Sequence, residues 1–430
     1  MRRLCTACAA AALLAALVAG AGAARPQSTK PLLGLVSAGQ ESWTLMRIDP
    51  LTLARRAGPT VSVGSRISAW SFSPDRSRLV LGDYDVSGVL MLVDTQRMRR
   101  LGLVDAGGMA QTLTTFWPEE GRLYAVVTRL TRKDDGTFAR QPSSLVAVDP
   151  GSRTVVGEQS LDGWVYGSAH GTGVLALLLG QESGVGPARL AVVGSDGTVR
   201  MVGLDGIQVG YDAVDESDPQ AVGQYAQPGL VVASDGGEAF VVAPGRIAAV
   251  DLRTLSVSYH SIGSTSRRLQ RVEKGSLDGS YRAALWTPDG KLLVTGRDDH
   301  SSVDAKGQVR YEPRPVGLQL VDTRDWSTKL VDANGAGASV GADAIFVTPW
   351  SWSSKLQKYV GGGATIYSLD GVKRAHVFGR KDVFGVLIGR RAFVGLDLTS
   401  YAIVSTTTGR ILRKVRHQLP QPLLGAAQDN

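Results

Sequence analysis

The chain has 430 residues, and 47 Lys and Arg against 39 Asp and Glu give it a formal net charge of +8 at pH 7. The basic residues are spread among nearly as many carboxylates, which excludes the concentrated basic surface typical of nucleic-acid binding. The cysteines are Cys5 and Cys8. Because both lie in the N-terminal segment described next, disulfides, thiolate catalysis and cysteine-bound metals are not expected in the mature chain.

The first element in the chain is an export segment. Arg2 and Arg3 precede an uncharged run rich in Ala and Leu that ends in Ala21-Gly22-Ala23. This order is typical of a cleaved secretory signal peptide. An uncleaved membrane anchor is the alternative, but the run is mostly Ala and Gly and no basic cluster follows it. We therefore expect residues 1–23 to be removed, the mature chain to lack a transmembrane helix, and the protein to be secreted or extracytoplasmic, in the periplasm or cell envelope.

After a short segment, 24–31, a turn pattern recurs through residues 32–424 and stops before a tail, 425–430. In one copy, Trp70-Ser71-Phe72-Ser73-Pro74-Asp75 precedes the apolar run Arg78-Leu79-Val80-Leu81. Proline presets φ for a tight turn, and Asp hydrogen-bonds its own backbone. The pattern therefore predicts strand, turn, strand. Further copies begin at Phe116, at Ser234 and at Trp286.

A second pattern follows these turns, namely an apolar strand that ends at a polar turn. Its clearest copies end at Asp49, Asp94, Asp149, Asp251, Asp322 and Asp370, and weaker copies lie at Asp196 and Ser405. Most are roughly 45–55 residues apart, which is close to the length of a propeller blade. Helix-length periodicity is missing after the signal segment. The repeats predict an all-β chain that forms a single β-propeller of about eight, alternatively seven, four-stranded blades.

The two ends of the repeated region complement each other. The first unit lacks an opening strand before Leu32-Leu33-Gly34-Leu35-Val36, whereas Gln421-Pro422-Leu423-Leu424 is left over after the last unit. We expect the spare segment to supply the missing strand, because a ring closed in this way leaves no exposed sheet edge.

The repeats resemble those of bacterial extracytoplasmic propellers of the YVTN and TolB type. Their signature is an aromatic residue, Ser, Pro, Asp and Gly before a basic residue and Leu, with a later apolar run that ends in Asp-Thr. The resemblance covers nearly the whole mature chain and implies architecture, since such propellers include scaffolds, binding proteins and enzymes.

Eight-bladed quinoprotein dehydrogenases are the related enzymes. Their blades end in Asp-x-x-Thr-Gly with a Trp four residues later. Here Ser405-Thr406-Thr407-Thr408-Gly409 is followed by Arg413, so both anchor residues differ and no cofactor is expected.

Catalytic and metal-binding patterns are weak. The five His residues lie in five different units. Two acidic groups, one at 297–304 and one at 211–218, lack the alternate spacing of a calcium loop. Ser168 lies near His170 without a Gly-x-Ser-x-Gly elbow. We therefore expect neither a metal site nor catalytic residues.

Trp350 and Trp352 are alternate residues, which share one face of a strand and can stack on a sugar or a planar ligand. The alternative is that this segment has a structural role, and the spacing between Pro349 and Asp370 favours it. In that interpretation Phe346-Val347-Thr348-Pro349 is another copy of the aromatic-to-proline turn.

Two units are longer than the others between their second and third strands, at 129–141 and 297–315. In an up-and-down blade these connections lie on the same rim as the links between blades, which are long at 206–227 and 263–280. Insertions on one face of a repeat protein commonly mark its binding surface. The candidate ligand contacts on these loops are Arg132, Lys133, Asp134, Asp135, Arg297, Asp298, Asp299 and His300.

The sequence thus predicts a monomeric propeller that binds a protein, glycan or small ligand on its long-loop face without converting it. The alternative is a propeller enzyme, such as a lactonase, a lyase or a quinone-dependent oxidoreductase, with its site at the axial channel. A polar channel with convergent carboxylates, His or Arg favours the enzyme, whereas an apolar or narrow channel with a contoured rim favours binding.

Overall fold

The computed structural model describes residues 32–37, 42–64, 67–83, 87–134, 138–212, 223–263, 277–303, 306, 308–353, 356, 358–379 and 381–424. The expected signal peptide, the segment 24–31 and the tail 425–430 lie outside the described residues. Within those ranges the regular secondary structure is β-strand. None of the described residues forms a helix long and apolar enough to cross a membrane.

The strands are numbered in chain order. The first part of the chain contains β1 (Leu32–Ser37), β2 (Trp43–Ile48), β3 (Val61–Gly64), β4 (Ile67–Phe72), β5 (Arg78–Asp83), β6 (Val89–Asp94), β7 (Arg99–Asp105), β8 (Ala110–Glu119), β9 (Arg122–Arg132), β10 (Phe138–Asp149), β11 (Thr154–Ser160) and β12 (Trp164–Gly171). The middle part contains β13 (Val174–Gly180), β14 (Gly184–Gly194), β15 (Val199–Tyr211), β16 (Gly223–Gln227), β17 (Gly229–Val232), β18 (Glu238–Ala243), β19 (Arg246–Asp251), β20 (Val257–Ser261), β21 (Leu277–Trp286), β22 (Lys291–Val303), β23 (Val309–Tyr311) and β24 (Arg314–Pro315). The last part contains β25 (Leu318–Asp322), β26 (Thr328–Asp332), β27 (Gly335–Val340), β28 (Ala344–Ser353), β29 (Lys358–Gly361), β30 (Ala364–Ser368), β31 (Lys373–Val377), β32 (Phe384–Ile388), β33 (Arg391–Asp397), β34 (Ser400–Ser405), β35 (Ile411–Val415) and β36 (Gln421–Leu423).

These strands form antiparallel meanders arranged as the blades of one β-propeller. Six blades are separate sheets, with strand orders β3-β2-β1-β36, β4-β5-β6-β7, β8-β9-β10-β11, β17-β18-β19-β20, β27-β28-β30-β31 with β29 on β28, and β32-β33-β34-β35. The other strands form one eleven-stranded sheet, β12-β13-β14-β15-β16-β21-β22-β25-β26, with β23 and β24 paired to β22.

The all-β single propeller is confirmed, but the predicted number of blades is wrong, because six blades are present as separate sheets rather than eight or seven. The difference arises at β16, which pairs antiparallel with β15 and parallel with β21 and so joins two meanders into one sheet. The Asp pattern counts hairpin turns. A hairpin turn carries no information on whether neighbouring meanders share a sheet.

The two recurrent turns owe their shape to local side-chain hydrogen bonds. Between β4 and β5, Asp75 Oδ1 accepts hydrogen bonds from Ser73 Oγ at 2.7 Å and from the Ser77 N–H at 2.8 Å. After β19, the N–H groups of Arg253 and Thr254 both donate to Asp251 Oδ1 at 2.8 Å. The Thr254 N–H is the main cause of a lowered pKa at Asp251. The aspartate carboxylates, in their ionised form, therefore hold the turns in shape.

The prediction of a turn at 346–349 is wrong. These residues lie inside β28, and the strand reversal comes earlier, where the Gly341 N–H donates to the Ala344 carbonyl at 2.8 Å. Pro349 is accommodated because its partner strand β27 carries a bulge between Gly335 and Gly337, where the regular ladder is interrupted. The structural interpretation of this segment as a turn therefore fails, and its two tryptophans lie on a continuous strand.

The last strand closes the ring. β36 pairs antiparallel with β1, with Leu423 opposite Leu33, and the Trp70 indole N–H donates to the Leu424 carbonyl at 3.2 Å. Leu423 is fully buried in a cluster with Leu33 and Leu35. The expected use of the spare C-terminal segment is therefore confirmed, and the closed ring surrounds a central space.

The core lies between the faces of neighbouring sheets. One cluster combines Val80 and Leu90, from the blade that begins with β4, with Leu123 and Val127 from the next blade. Other clusters join blades in the same way around the ring. Each blade is therefore stabilised by apolar burial against its neighbours.

We expect Leu423→Ala to lower the free energy of unfolding by about 2–5 kcal/mol, because it leaves a cavity in the closing strand. Leu412→Ala is the matched control, since Leu412 is 53% exposed on β35, and a change within about 0.5 kcal/mol is expected there. Chemical denaturation of both variants measures the difference. Equal losses in the two variants would contradict closure through β36.

Candidate functional site

A cavity of about 370 Å³ lies at the centre of the ring. Six strands that are each the first of their meander, β8, β12, β17, β21, β27 and β32, contribute to its wall. On β12, β17, β27 and β32 the lining residues lie at or near the start of the strand. The cavity therefore lies toward the end of the ring where the first strands begin. In an up-and-down meander the connection from the second to the third strand reaches that same end.

Extra strands surround this end of the cavity. β22 continues past its own meander and pairs there with β23 and β24, while β28 continues as a hairpin with β29. The extra length at 297–315 therefore lies between the second and third strands, as expected, but is folded largely as strand rather than as open loop. At 129–141 the extra length extends the hairpin of β9 and β10, in which Phe138 pairs with Arg132.

The structure separates the predicted contact residues into two groups. Arg132, Lys133 and Asp134 are exposed at the tip of the β9–β10 hairpin, and Asp135 lies outside the described residues. None of these three described residues lines the cavity. The other four residues, Arg297, Asp298, Asp299 and His300, lie on β22, where Arg297 lines the cavity and Asp299 is 2% exposed.

Arg297 and Asp299 form the centre of a buried polar cluster. They are alternate residues of β22 and share one side of the strand, so Arg297 Nε donates to Asp299 Oδ2 at 2.7 Å. The Tyr225 hydroxyl of β16 donates to the same oxygen. Burial, and then the charge of Asp299, raise the pKa of Tyr225 well above its usual value. Tyr225 is therefore a fixed hydrogen-bond donor at neutral pH.

Arg282, a buried residue on the neighbouring strand β21, forms a second ion pair, with Asp298. It is 3% exposed. Its Nη1 donates to Asp298 Oδ1 at 2.8 Å and to the carbonyls of Tyr281 and Arg297 at 2.9 Å and 3.1 Å. His300 lies on the Asp298 side of β22, with Nδ1 3.9 Å from Asp278 Oδ1. The carboxylates of Asp298 and Asp299 are thus engaged by arginines, which argues against the calcium site considered for 297–304.

An aromatic cluster forms another part of the wall. The ring centroids of Trp350 and Tyr359 are 5.7 Å apart, and those of Trp352 and Tyr359 are 5.0 Å apart. Tyr311 of β23 packs edge-on against Trp352 at 4.9 Å. Trp350, Trp352 and Tyr359 line the cavity. The shared face expected for the two tryptophans therefore brings them to the central space.

Two further titratable groups, Tyr281 in the lining and His170 on β12, are each held in one protonation state at neutral pH. Burial raises the pKa of Tyr281 to about 12 and lowers the pKa of His170 to about 4. Ser168 lines the cavity, whereas His170 Nε2 lies 3.0 Å from Thr114 Oγ1. Within the described ranges, no three His, Cys, Asp or Glu side chains lie close enough together to hold a metal ion.

Sequence reasoning missed Tyr225, Tyr281, Arg282 and Tyr359. The signal for Tyr359 was present, because alternate aromatic residues at 350 and 352 precede a second short strand within hairpin distance. Tyr225 carried no such signal, since its partner Asp299 is 74 residues away in the chain.

Comparisons with known proteins agree with this fold. No protein-family model and no curated protein matches the chain. Among solved structures, the chain is similar to the dihydro-heme d1 dehydrogenase NirN in complex with DHE, with a TM-score of 0.55, 13% identity, and coverage of 94% of this chain and 77% of that one. The chain is also similar to hydrazine synthase of Kuenenia stuttgartiensis, with a TM-score of 0.41, 11% identity, and coverage of 93% of this chain and 96% of that one. At 13% identity the similarity to NirN shows the fold alone, and the protein class that the described sheets define is the β-propeller.

We expect Asp299→Ala to lower the free energy of unfolding by about 3 kcal/mol, because it leaves the Arg297 guanidinium without its buried counter-ion. Asp134→Ala is the matched control at an exposed position, where a change within about 0.5 kcal/mol is expected. Denaturant unfolding of both variants at pH 7 compares them. A loss at Asp299 as small as that at Asp134 would show that the pair does not hold this side of the cavity.

Proposed function

We propose that this protein is a non-catalytic binding protein that holds a small, largely apolar, planar ligand in the central cavity. The observation that carries the proposal is the cavity of about 370 Å³ with tryptophan and tyrosine rings in its wall. Small-molecule sites typically have about 300–1,000 Å³ and combine apolar and aromatic walls with a few placed polar groups. The volume and lining fit that description.

The arrangement of the rings favours a small ligand over a glycan or a protein. The planes of Trp350 and Tyr359 are inclined by 50°, those of Trp352 and Tyr359 by 72°, and those of Tyr311 and Trp352 by 83°. Rings inclined in this way form a concave corner rather than one flat platform. A concave corner contacts both the face and the edge of an inserted ring.

The state of the polar groups supports binding over catalysis. A general acid or base works best with a pKa near the operating pH, whereas burial holds Tyr281 protonated, with a pKa of about 12, and His170 neutral, with a pKa of about 4. Asp299 is engaged by Arg297 and Tyr225. The similar propeller solved with DHE is named a dehydrogenase, so the enzyme alternative is an outcome that a turnover assay on any identified ligand addresses.

The proposal includes the setting of the protein. The basic start, apolar run and small residues of segment 1–23, together with repeats that resemble the YVTN and TolB type, support export. In that setting the protein captures its ligand outside the cytoplasm. The described tip residues of the β9–β10 hairpin, Arg132, Lys133 and Asp134, form part of the exposed surface at the ligand-entry end.

N-phenyl-1-naphthylamine, a neutral aromatic probe that fluoresces in apolar surroundings, tests the proposal. We expect saturable binding to the unmodified protein and an affinity at least about fivefold lower in Trp352→Ala, because one ring of the wall is removed. Phe138→Ala is the matched control, since Phe138 is 48% exposed on the β9–β10 hairpin and is expected to leave the affinity unchanged.

Two results contradict the cavity as the binding site. One is the absence of saturable binding, and the other is equal affinity in the unmodified protein and Trp352→Ala. A loss of affinity confined to Phe138→Ala would instead indicate binding at the exposed hairpin.

A further inference from the structure

The excess of positive charge lies in one segment of the chain. Residues 373–417, which form β31 and the blade β32-β33-β34-β35, contain ten Lys and Arg against two Asp. That leaves 37 of the 47 basic residues and 37 of the 39 acidic residues elsewhere. Basic residues are therefore matched by carboxylates in the rest of the chain, and the whole net charge of +8 resides in this segment.

Two arginines of this segment share one carboxylate at one end of the ring. Asp343 Oδ2, in the turn between β27 and β28, lies 3.7 Å from Arg374 Nη1 and 3.8 Å from Arg390 Nε. Arg390 itself lies in the turn between β32 and β33. Turns that join the first strand of a meander to its second lie at the end of the ring opposite the cavity. Because one carboxylate balances only one of the two guanidiniums, positive charge remains at this end.

The turn between β34 and β35 lies against β31 and adds two cations. Gly409, in that turn, packs so tightly on Ala375 that a Cβ at position 409 would clash with it. The contact brings Arg410, which precedes β35, to the same end of the ring as Lys373, the first residue of β31. Both residues are exposed, and neither forms an ion pair with a carboxylate in the described part of the chain.

β35 carries the positive charge along the outer edge of its blade, because it is the last strand of that sheet. Arg413 and Lys414 are exposed on the strand, and so is Arg416 just beyond it. None of these three residues forms an ion pair within the described ranges. The apolar neighbours Ile411 and Leu412 are 45% and 53% exposed. The outer strand is therefore both basic and partly apolar.

The cations of these turns and strands form one surface, which we call the basic edge. It consists of Lys373, Arg374, Arg390, Arg410, Arg413, Lys414 and Arg416, all exposed. Charged residues commonly protect an outer strand from pairing with another sheet. Edge protection does not explain the basic edge, since the outer strands β3, β11 and β20 contain no Lys or Arg and several of its cations lie in turns.

We propose that the basic edge docks this protein on the surface of an anionic phospholipid membrane. Each Lys or Arg near such a surface strengthens binding by about fivefold. Ile411 and Leu412 supply apolar contact at the boundary between headgroups and acyl chains. A nucleic acid offers phosphate charge but no apolar layer for these two side chains, which favours the membrane. The inference does not depend on the ligand of the cavity.

The position of the basic edge sets the orientation of the docked protein. The connections 389–390 and 406–410 lie at the end of the ring opposite the starts of the first strands, where the cavity lies. With those connections on the membrane, the cavity faces away from the lipid. Ligand binding and membrane docking then use separate surfaces.

Cosedimentation with sucrose-loaded vesicles tests the proposal. The vesicles are phosphatidylcholine alone or phosphatidylcholine with about 30% phosphatidylglycerol, so they differ in surface charge. At about 0.1 M salt we expect the partition coefficient of the unmodified protein to be at least about tenfold higher on the anionic vesicles. Most of this binding is expected to be lost at about 0.5 M salt, because the charges are then screened.

Two variants remove cations from different parts of the basic edge. Arg413→Gln/Lys414→Gln is expected to weaken binding to the anionic vesicles by at least about tenfold, because two charges are lost. Lys373→Gln/Arg410→Gln is expected to give a similar loss. A local folding defect in one variant would not produce the same result in the other, and circular dichroism checks the fold of both.

Arg100→Gln/Arg253→Gln is the matched control. It removes the same amount of charge from exposed positions on two other blades, on β7 and in the turn after β19. The change in net charge is identical, so any difference between this control and the other variants reports the location of the charge. The control is expected to alter binding to the anionic vesicles by no more than about twofold.

Three results overturn the inference: equal partitioning of the unmodified protein on the two kinds of vesicle, unchanged binding in both variants of the basic edge, or an equal loss in the control. Release of the protein from the anionic vesicles by duplex DNA at an equal concentration of phosphate would identify a nucleic acid as the preferred partner and would overturn it as well.

Discussion

The pairing of β36 with β1 is the contact on which the rest of the structure depends. It joins residues at opposite ends of the described chain, with Leu33 opposite Leu423 and Leu35 opposite Gln421. Without that ladder two sheet edges are exposed, and nothing fixes the first strands around a common centre. Because the ring is closed, the starts of those strands meet at one end, and the cavity wall is assembled from residues far apart in sequence.

The chemistry of the cavity is concentrated on one side of the ring. β21, β22 and the β28–β29 hairpin supply both arginines and three of the rings, and β16 crosses from the end of β15 to the start of β21. The same short strand that joins two meanders thus brings Tyr225 to Asp299. The departure from separate blades and the polar cluster have one cause. A repeated fold acquires a local site where its repetition is broken.

Local chemistry in the sequence predicted the turns, and it did so for a physical reason. The side chains of Asp75 and Asp251 bond to backbone groups two or three residues away, so a short window contains all the information. The blade count required knowledge of β16, whose two partner strands are set by tertiary contacts. The pairing of Arg282 with Asp298 follows from the register of β21 on β22, but only once those residues are known to be strand rather than loop.

Residue-specific fluorine NMR tests the central claim, that the cavity with its aromatic corner is the ligand site. The chain has eight tryptophans, and incorporation of 5-fluorotryptophan gives each its own resonance, assigned by single Trp→Phe variants. Saturation with N-phenyl-1-naphthylamine is predicted to shift the resonances of Trp350 and Trp352 and to leave that of Trp326, which stacks on His260 at 3.4 Å, in place. Unshifted Trp350 and Trp352 resonances at saturating probe would contradict the account.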